Sequence, residues 1–99
     1  MDQLYEKLAP VSPVKLAMEP SAYFRRQCYA TFIEDPFFDA TVPAMGSENI
    51  MWSSDFPHLA SSFPRSHEVI AEHLGGLAAD DLDRIVRANV ARLYGIGRP

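Results

Sequence analysis

The stretch that decides the fold is residues 50–58, IMWSSDFPH. Three apolar residues are followed by two serines and then by a single carboxylate, Asp55. A short apolar run that ends at turn-forming residues is typical of a buried strand, and Pro57 restricts the backbone just beyond the acid. The pattern therefore predicts a strand over residues 49–54 that delivers one acidic side chain into a loop.

A second buried strand is predicted over residues 28–33, CYATFI, because aromatic and β-branched residues favour strands. The connection to the next strand, residues 34–48, is longer than the dozen or so residues that a parallel crossover needs, so we expect the two strands to be parallel. Helices are predicted at residues 2–8, at 21–27 with Ser21 as cap, and from Ser66 as cap to about residue 74, while residues 37–45 before Gly46 fit a short helix or a turn. A last helix is predicted from 79 or 80 to Gly95, with one face formed by Leu82, Ile85, Val86, Asn89 and Leu93.

The same motif carries a family resemblance. SSDFPH at 53–58, with NIMW before it, resembles the last-strand signature of the amidohydrolase-related enzymes, which are metal-dependent hydrolases and decarboxylases built on an eight-stranded β/α barrel. YFRRQCY at 23–29 is similar to the family's approach to the preceding strand, and RANVARLYG at 87–95 to its closing helix. The resemblance implies an α/β chain that holds the last two β/α units of a TIM-like barrel, with two parallel strands plus helices and no closed barrel.

The length of 99 residues is short for this family, because a complete barrel needs about 250. We expect one partial domain: a helix tail and proline-rich connection at 1–20, the penultimate β/α unit at 21–46, and the last unit with the terminal helix at 47–99. Met1 is therefore predicted to be a start inside a larger domain. We expect the chain to be marginal alone, or to be completed by an N-terminal barrel segment or by a further copy in a homo-oligomer.

Charge, apolar content and cysteine count exclude several classes of binding partner and covalent or metal cross-link. A net charge of −4 gives no basic face for nucleic acid, and no apolar run approaches the roughly 20 residues of a membrane span. The single cysteine, Cys28, excludes an internal disulfide and a multi-cysteine metal cage, and its place in the predicted strand indicates a buried, inert thiol. We therefore predict a cytoplasmic protein with a small-molecule substrate, no nucleic-acid partner and no membrane.

Asp55 is the main candidate for chemistry. The resemblance implies that it binds a catalytic divalent metal, commonly zinc, and helps to orient or deprotonate the metal-bound water. The residue type by itself also fits an aspartate that only caps the loop through backbone amides. His58 matches the motif as a loop residue or substrate contact, and Glu34 ends the preceding strand at the same barrel face, as either a substrate contact or a solvated strand end.

The remaining metal ligands are not in this sequence. The family supplies further histidines from earlier strands, and none of the three histidines here, His58, His67 and His73, occupies such a position. His67 and His73 are six residues apart, so they do not form an i, i+4 zinc pair, and we expect both to be solvated. Because a catalytic zinc typically needs three protein ligands, we expect neither tight metal binding nor catalysis from this chain alone.

The function expected from the resemblance is that of a C-terminal fragment of a metal-dependent hydrolase acting on a small carboxylic or cyclic substrate. Two alternatives remain open at this point. One is a metal-dependent decarboxylase, a lyase of the same family. The other is a non-catalytic interaction domain that retains the family's terminal units.

Overall fold

The computed structural model describes residues 1–97 and shows an open α/β arrangement around two short parallel strands. The elements, in chain order, are α1 (Asp2–Leu8), α2 (Pro20–Gln27), β1 (Ala30–Phe32), α3 (Phe38–Met45), β2 (Ile50–Trp52), α4 (Ser66–Leu74), α5 (Ala79–Asp83), a π-helical segment (Arg84–Ala88) and α6 (Asn89–Tyr94). The strands pair in parallel, with Ala30 opposite Ile50 and Phe32 opposite Trp52. The predicted α/β class, the parallel crossover and the open sheet are confirmed.

The hydrophobic core lies where the helices cover one side of this sheet. Its buried members come from α3, β2, α4 and the π-helical segment: Phe38, Val42, Ile50, Leu74 and Ile85. Phe32 packs against this cluster and stacks on the Phe38 ring, with 4.2 Å between the ring centroids. Both strands thus supply side chains to one core, which fixes the end of β2 relative to the end of β1.

The terminal helix is bound to the sheet through Asn89, which is 1% exposed. Its side-chain amide donates to the backbone carbonyl of Ser47 at 2.6 Å and to that of Ile50 at 2.9 Å. Asn89, which belongs to the predicted stripe of the last helix, thus satisfies two backbone carbonyls around the start of β2. The π-helical segment just before Asn89 was not predicted, since sequence periodicity does not separate it from an α-helix.

Three local predictions are wrong. Ser21 is not a cap, because α2 begins at Pro20 and the Ser21 N–H donates instead to the Asp2 carboxylate at 2.8 Å. Ser66 is already the first residue of α4, and its hydroxyl lies 3.0 Å from that of Ser62. Cys28 is exposed and follows the end of α2, because the paired part of the first strand begins only at Ala30.

The sequence predicts no membrane-spanning segment. Among residues 1–97, none of the helices is both long enough and apolar enough to cross a bilayer.

Candidate active site

The candidate site begins where the sheet ends. Ser53 still belongs to the ladder, since its N–H donates to the carbonyl of Phe32 at 2.9 Å. Two residues later the backbone turns, and Asp55 adopts a left-handed conformation with φ of 55°. Such a conformation costs a non-glycine residue about 1–2 kcal/mol, although aspartate tolerates it better than most residues. This turn, at the end of a strand, fixes the direction of the Asp55 side chain.

Hydrogen bonds from the loop hold this turn. The carbonyl of Ser54 accepts from the Ser61 hydroxyl at 2.7 Å and from the Ser62 N–H at 3.1 Å. The carbonyl of Asp55 accepts from the His58 N–H at 2.8 Å, and the Asp55 N–H donates to the Ser53 hydroxyl at 3.3 Å. The loop after β2 therefore closes on itself around the acidic residue.

The carboxylate of Asp55 stays accessible, with its side chain 53% exposed. Its Oδ2 atom lies 3.6 Å from Nδ1 of His58, which is also exposed. At this distance the two groups form a loose pair and not a hydrogen bond. His58 therefore lies in the same loop as Asp55, and its role as a loop residue or substrate contact stays a prediction.

Glu34 and Asp55 line the same cavity, whose volume is about 370 Å³. The rest of its lining comes from the ends of both strands: Thr31, Phe32, Ile33 and Ser53. Because parallel strands end at one edge of the sheet, two acids that follow two neighbouring strands meet there. The structure thus brings Glu34 to the candidate site, and His58 is not among the residues that line the cavity.

A larger cavity, of about 510 Å³, lies at the opposite end of the strands. Its lining includes Ser47, Glu48 and Asn49, which precede β2, together with the exposed guanidinium groups of Arg25 and Arg84. Since chemistry on β/α barrels is carried out at the carboxyl ends of the strands, the smaller cavity is the better candidate for an active site.

An aromatic pair stands beside the acid. The rings of Phe56 and Phe63 lie 4.7 Å apart at their centroids with 60° between their planes, and both side chains are exposed. Between them in the sequence, Leu59 is 100% exposed. The loop therefore presents apolar side chains next to a carboxylate, as pockets for organic ligands commonly do.

The residues fit a divalent metal only in part. In the described part of the chain, no group of three or more His, Cys, Asp or Glu side chains is close enough to hold an ion. The Asp55 carboxylate and the His58 imidazole, 3.6 Å apart, are two possible metal ligands in the same loop, whereas His67 and His73 lie on α4. A catalytic zinc takes three protein ligands, so residues 1–97 do not by themselves make a complete metal centre.

Sequence reasoning missed the serines that position the acid. Ser53 and Ser54 were noted only as the two residues before the acid, and Ser61 was not included. The signal was the high content of serine in residues 53–66, since serine hydroxyls bond to nearby backbone groups in turns. Thr31, which lines the cavity from β1, was likewise not singled out.

Comparison with known proteins shows the family of the chain. The sequence model described as Amidohydrolase matches residues 13–96, which is most of the chain and includes both strands and the Asp55 loop. No curated protein matches the chain. With two parallel strands ending at one cavity and the family match across them, the chain belongs to the amidohydrolase family.

Proposed function

We propose that this chain is the C-terminal part of a metal-dependent amidohydrolase-type hydrolase that acts on a small carboxylic or cyclic substrate. In this proposal Asp55 is the catalytic residue and contributes one carboxylate to a divalent metal site, with zinc as the metal. Glu34 and His58 contact the substrate. Family membership supports hydrolase-like chemistry in general. The assignment of the metal ligand and the substrate contacts rests on Asp55, Glu34 and His58.

The observation that carries the proposal is the placement of Asp55. It follows the carboxyl end of a parallel strand, its backbone is held in a left-handed turn, and its carboxylate opens on a cavity shared with Glu34. A carboxylate is a normal ligand for Zn²⁺, and a bound divalent metal supplies Lewis acidity to a site of this kind.

The other donors must come from outside residues 1–97 if the site is to be complete. The two-stranded sheet supports this view, because each strand has the other as its single partner among the described residues. Open strand edges normally pair with further strands or are covered. We therefore propose that an N-terminal barrel segment, in the same polypeptide or in a separate chain, completes both the sheet and the donor set.

The first experiment measures mass and metal together. The protein is isolated under native conditions from its source cells, weighed before and after denaturation, and analysed for bound divalent metals. We expect either a denatured chain of about 30–45 kDa, the range of a complete barrel, or a chain near 11.1 kDa that co-elutes with a partner. A lone 11.1 kDa species without metal contradicts the proposal and favours the non-catalytic interaction domain.

A matched pair of variants then tests Asp55 itself. Asp55→Asn should lower the amount of metal bound per chain, because an amide is a weaker ligand than a carboxylate. Asp80→Asn, at an exposed position in the first turn of α5, should leave it unchanged. Assays on small esters, amides and lactones, run beside an assay for released CO2, separate the hydrolase from the decarboxylase. Equal metal content in both variants would contradict the role of Asp55.

A further inference from the structure

The direction of the Asp55 side chain is set by the two peptide groups on either side of it. Each peptide group is planar, so fixing its carbonyl also fixes the N–H on its other end. The Ser54 carbonyl, in the first plane, accepts from Ser61 and Ser62, and the Asp55 carbonyl, in the second plane, accepts from His58. Two fixed planes determine φ and ψ of Asp55, and therefore where its Cα–Cβ bond points.

The hydrogen bond from the Ser61 hydroxyl is the shortest contact on the first plane. It measures 2.7 Å and is partly buried, whereas the Ser62 N–H lies at 3.1 Å and the Asp55 N–H to Ser53 bond measures 3.3 Å. The free energy of a left-handed non-glycine residue and that of one hydrogen bond are of the same order. Without the Ser61 hydroxyl, the Ser54 carbonyl keeps only the longer contact from the Ser62 N–H, and we expect the backbone of Asp55 to shift towards an ordinary conformation.

We infer that Ser61 is a positioning residue of the candidate site: through the Ser54 carbonyl, its hydroxyl holds Asp55 in the left-handed turn that presents the carboxylate to the cavity. The relevance of Ser61 to activity rests on the proposed function of Asp55. Its hold on the backbone rests only on the distances and the positive φ.

A serine that merely stabilised the loop would affect the free energy of unfolding without setting the backbone conformation of Asp55. A positive φ brings the N–H and Hα atoms of a residue unusually close, so it produces a strong nuclear Overhauser contact between them. Among residues 1–97, Asp55 is the one non-glycine residue with a positive φ, so the contact identifies it among the aspartates of that range and does not depend on overall stability. It can be measured in the full native protein carrying labelled aspartate.

Four variants make the test. Ser61→Ala should lose the strong intraresidue contact at Asp55, and Ser61→Thr, which keeps the hydroxyl, should retain it. Ser12→Ala is the matched control, because the Ser12 hydroxyl bonds to the Val14 N–H in the proline-rich segment. If Ser61→Ala does not fold, Ser61→Cys replaces it, since a thiol is a weaker donor of similar size.

The outcomes are distinct. Loss of the contact in Ser61→Ala, or its weakening in Ser61→Cys, with retention in Ser61→Thr, supports the inference. An unchanged contact in Ser61→Ala, or in Ser61→Cys where that variant replaces it, overturns it. Metal content is measured on the same samples and on Asp55→Asn. If Asp55→Asn binds as much metal as the unaltered protein, the proposed function fails, while the backbone signature still decides the role of Ser61.

Discussion

Asn89 reaches from the start of α6 to β2 and donates its side-chain amide to the carbonyl of Ile50 across 2.9 Å. The same amide donates to Ser47, so one side chain satisfies two backbone carbonyls on either side of the point where β2 begins. This contact joins the last helix to the strand that presents Asp55. The stability of the candidate site therefore depends on a residue outside it.

Replacing Asn89 with leucine should destabilise the protein. Two carbonyls would lose their donor in a buried setting, and each unsatisfied group costs about 1–3 kcal/mol, so we expect a loss of about 2–6 kcal/mol in the free energy of unfolding. Denaturant unfolding of the native protein measures the loss. Leu93→Ala, on the same helix but 42% exposed, is the control and should cost much less. Equal losses in the two variants would contradict the role assigned to Asn89.

Two leucines give a direct test of where the core lies. Leu74 is 0% exposed and belongs to the core cluster, and Leu74→Ala should reduce the free energy of unfolding by about 2–5 kcal/mol through the cavity it leaves. Leu59→Ala is the same chemical change at a fully exposed position in the loop beside Asp55, and we expect it to reduce the free energy of unfolding by less than about 0.5 kcal/mol. Thermal or denaturant unfolding compares the two. A large loss from Leu59→Ala would instead mean that a partner surface covers the loop.

Gly75 and Gly76, which follow α4, should differ in how well they tolerate replacement by alanine. A Cβ atom at Gly75 would overlap the backbone carbonyl oxygen of Ala71, which cannot move aside without distorting the helix end. A Cβ atom at Gly76 would meet open space. We expect Gly75→Ala to cost about 1–3 kcal/mol of folding free energy, as overpacking does, and Gly76→Ala to be tolerated. Comparable unfolding midpoints for the two variants would rule out this close approach.

An acid dependence of stability is expected from the Asp83–Arg87 pair. The Arg87 guanidinium donates to both carboxylate oxygens at 2.7 Å and lowers the pKa of Asp83. A lowered folded-state pKa means that the pair stabilises the protein above the unfolded pKa of about 3.9, and that this contribution is lost as the pH falls through the lower, folded value.

The measurement is the free energy of unfolding against pH for the unaltered protein and for Arg87→Met. The two curves should differ most above about pH 4 and converge as the pH falls further, and the gap should shrink at high salt because the pair is on the surface. Arg26→Met, at an exposed arginine of α2, serves as the control. A gap that stays constant down to the lowest pH would contradict the pairing.

The sequence predicted the order of the elements well. Patterns of apolar residues predicted the end of α4 at Leu74 and ended α3 before Gly46, although α4 begins at Ser66 itself and not after it. They were less successful with lengths, because each strand is only three residues long. Propensity marks which residues can be extended, whereas a ladder forms only where two backbones face each other. The predicted stripe on the last helix was right for Ile85 and Asn89, which are buried, whereas Leu93 is 42% exposed.

What the sequence by itself determined is the family, the parallel α/β order and the presence of one acid at the end of the last strand, since these follow from local patterns and motif. Only the tertiary structure decided that Glu34 shares a cavity with Asp55, that Asp55 takes a left-handed turn, and that Ser61 holds it there. These features depend on contacts between residues that are distant in the sequence or on the exact path of a loop. Local propensity carries no information about either, because both are fixed only when the strands and helices pack.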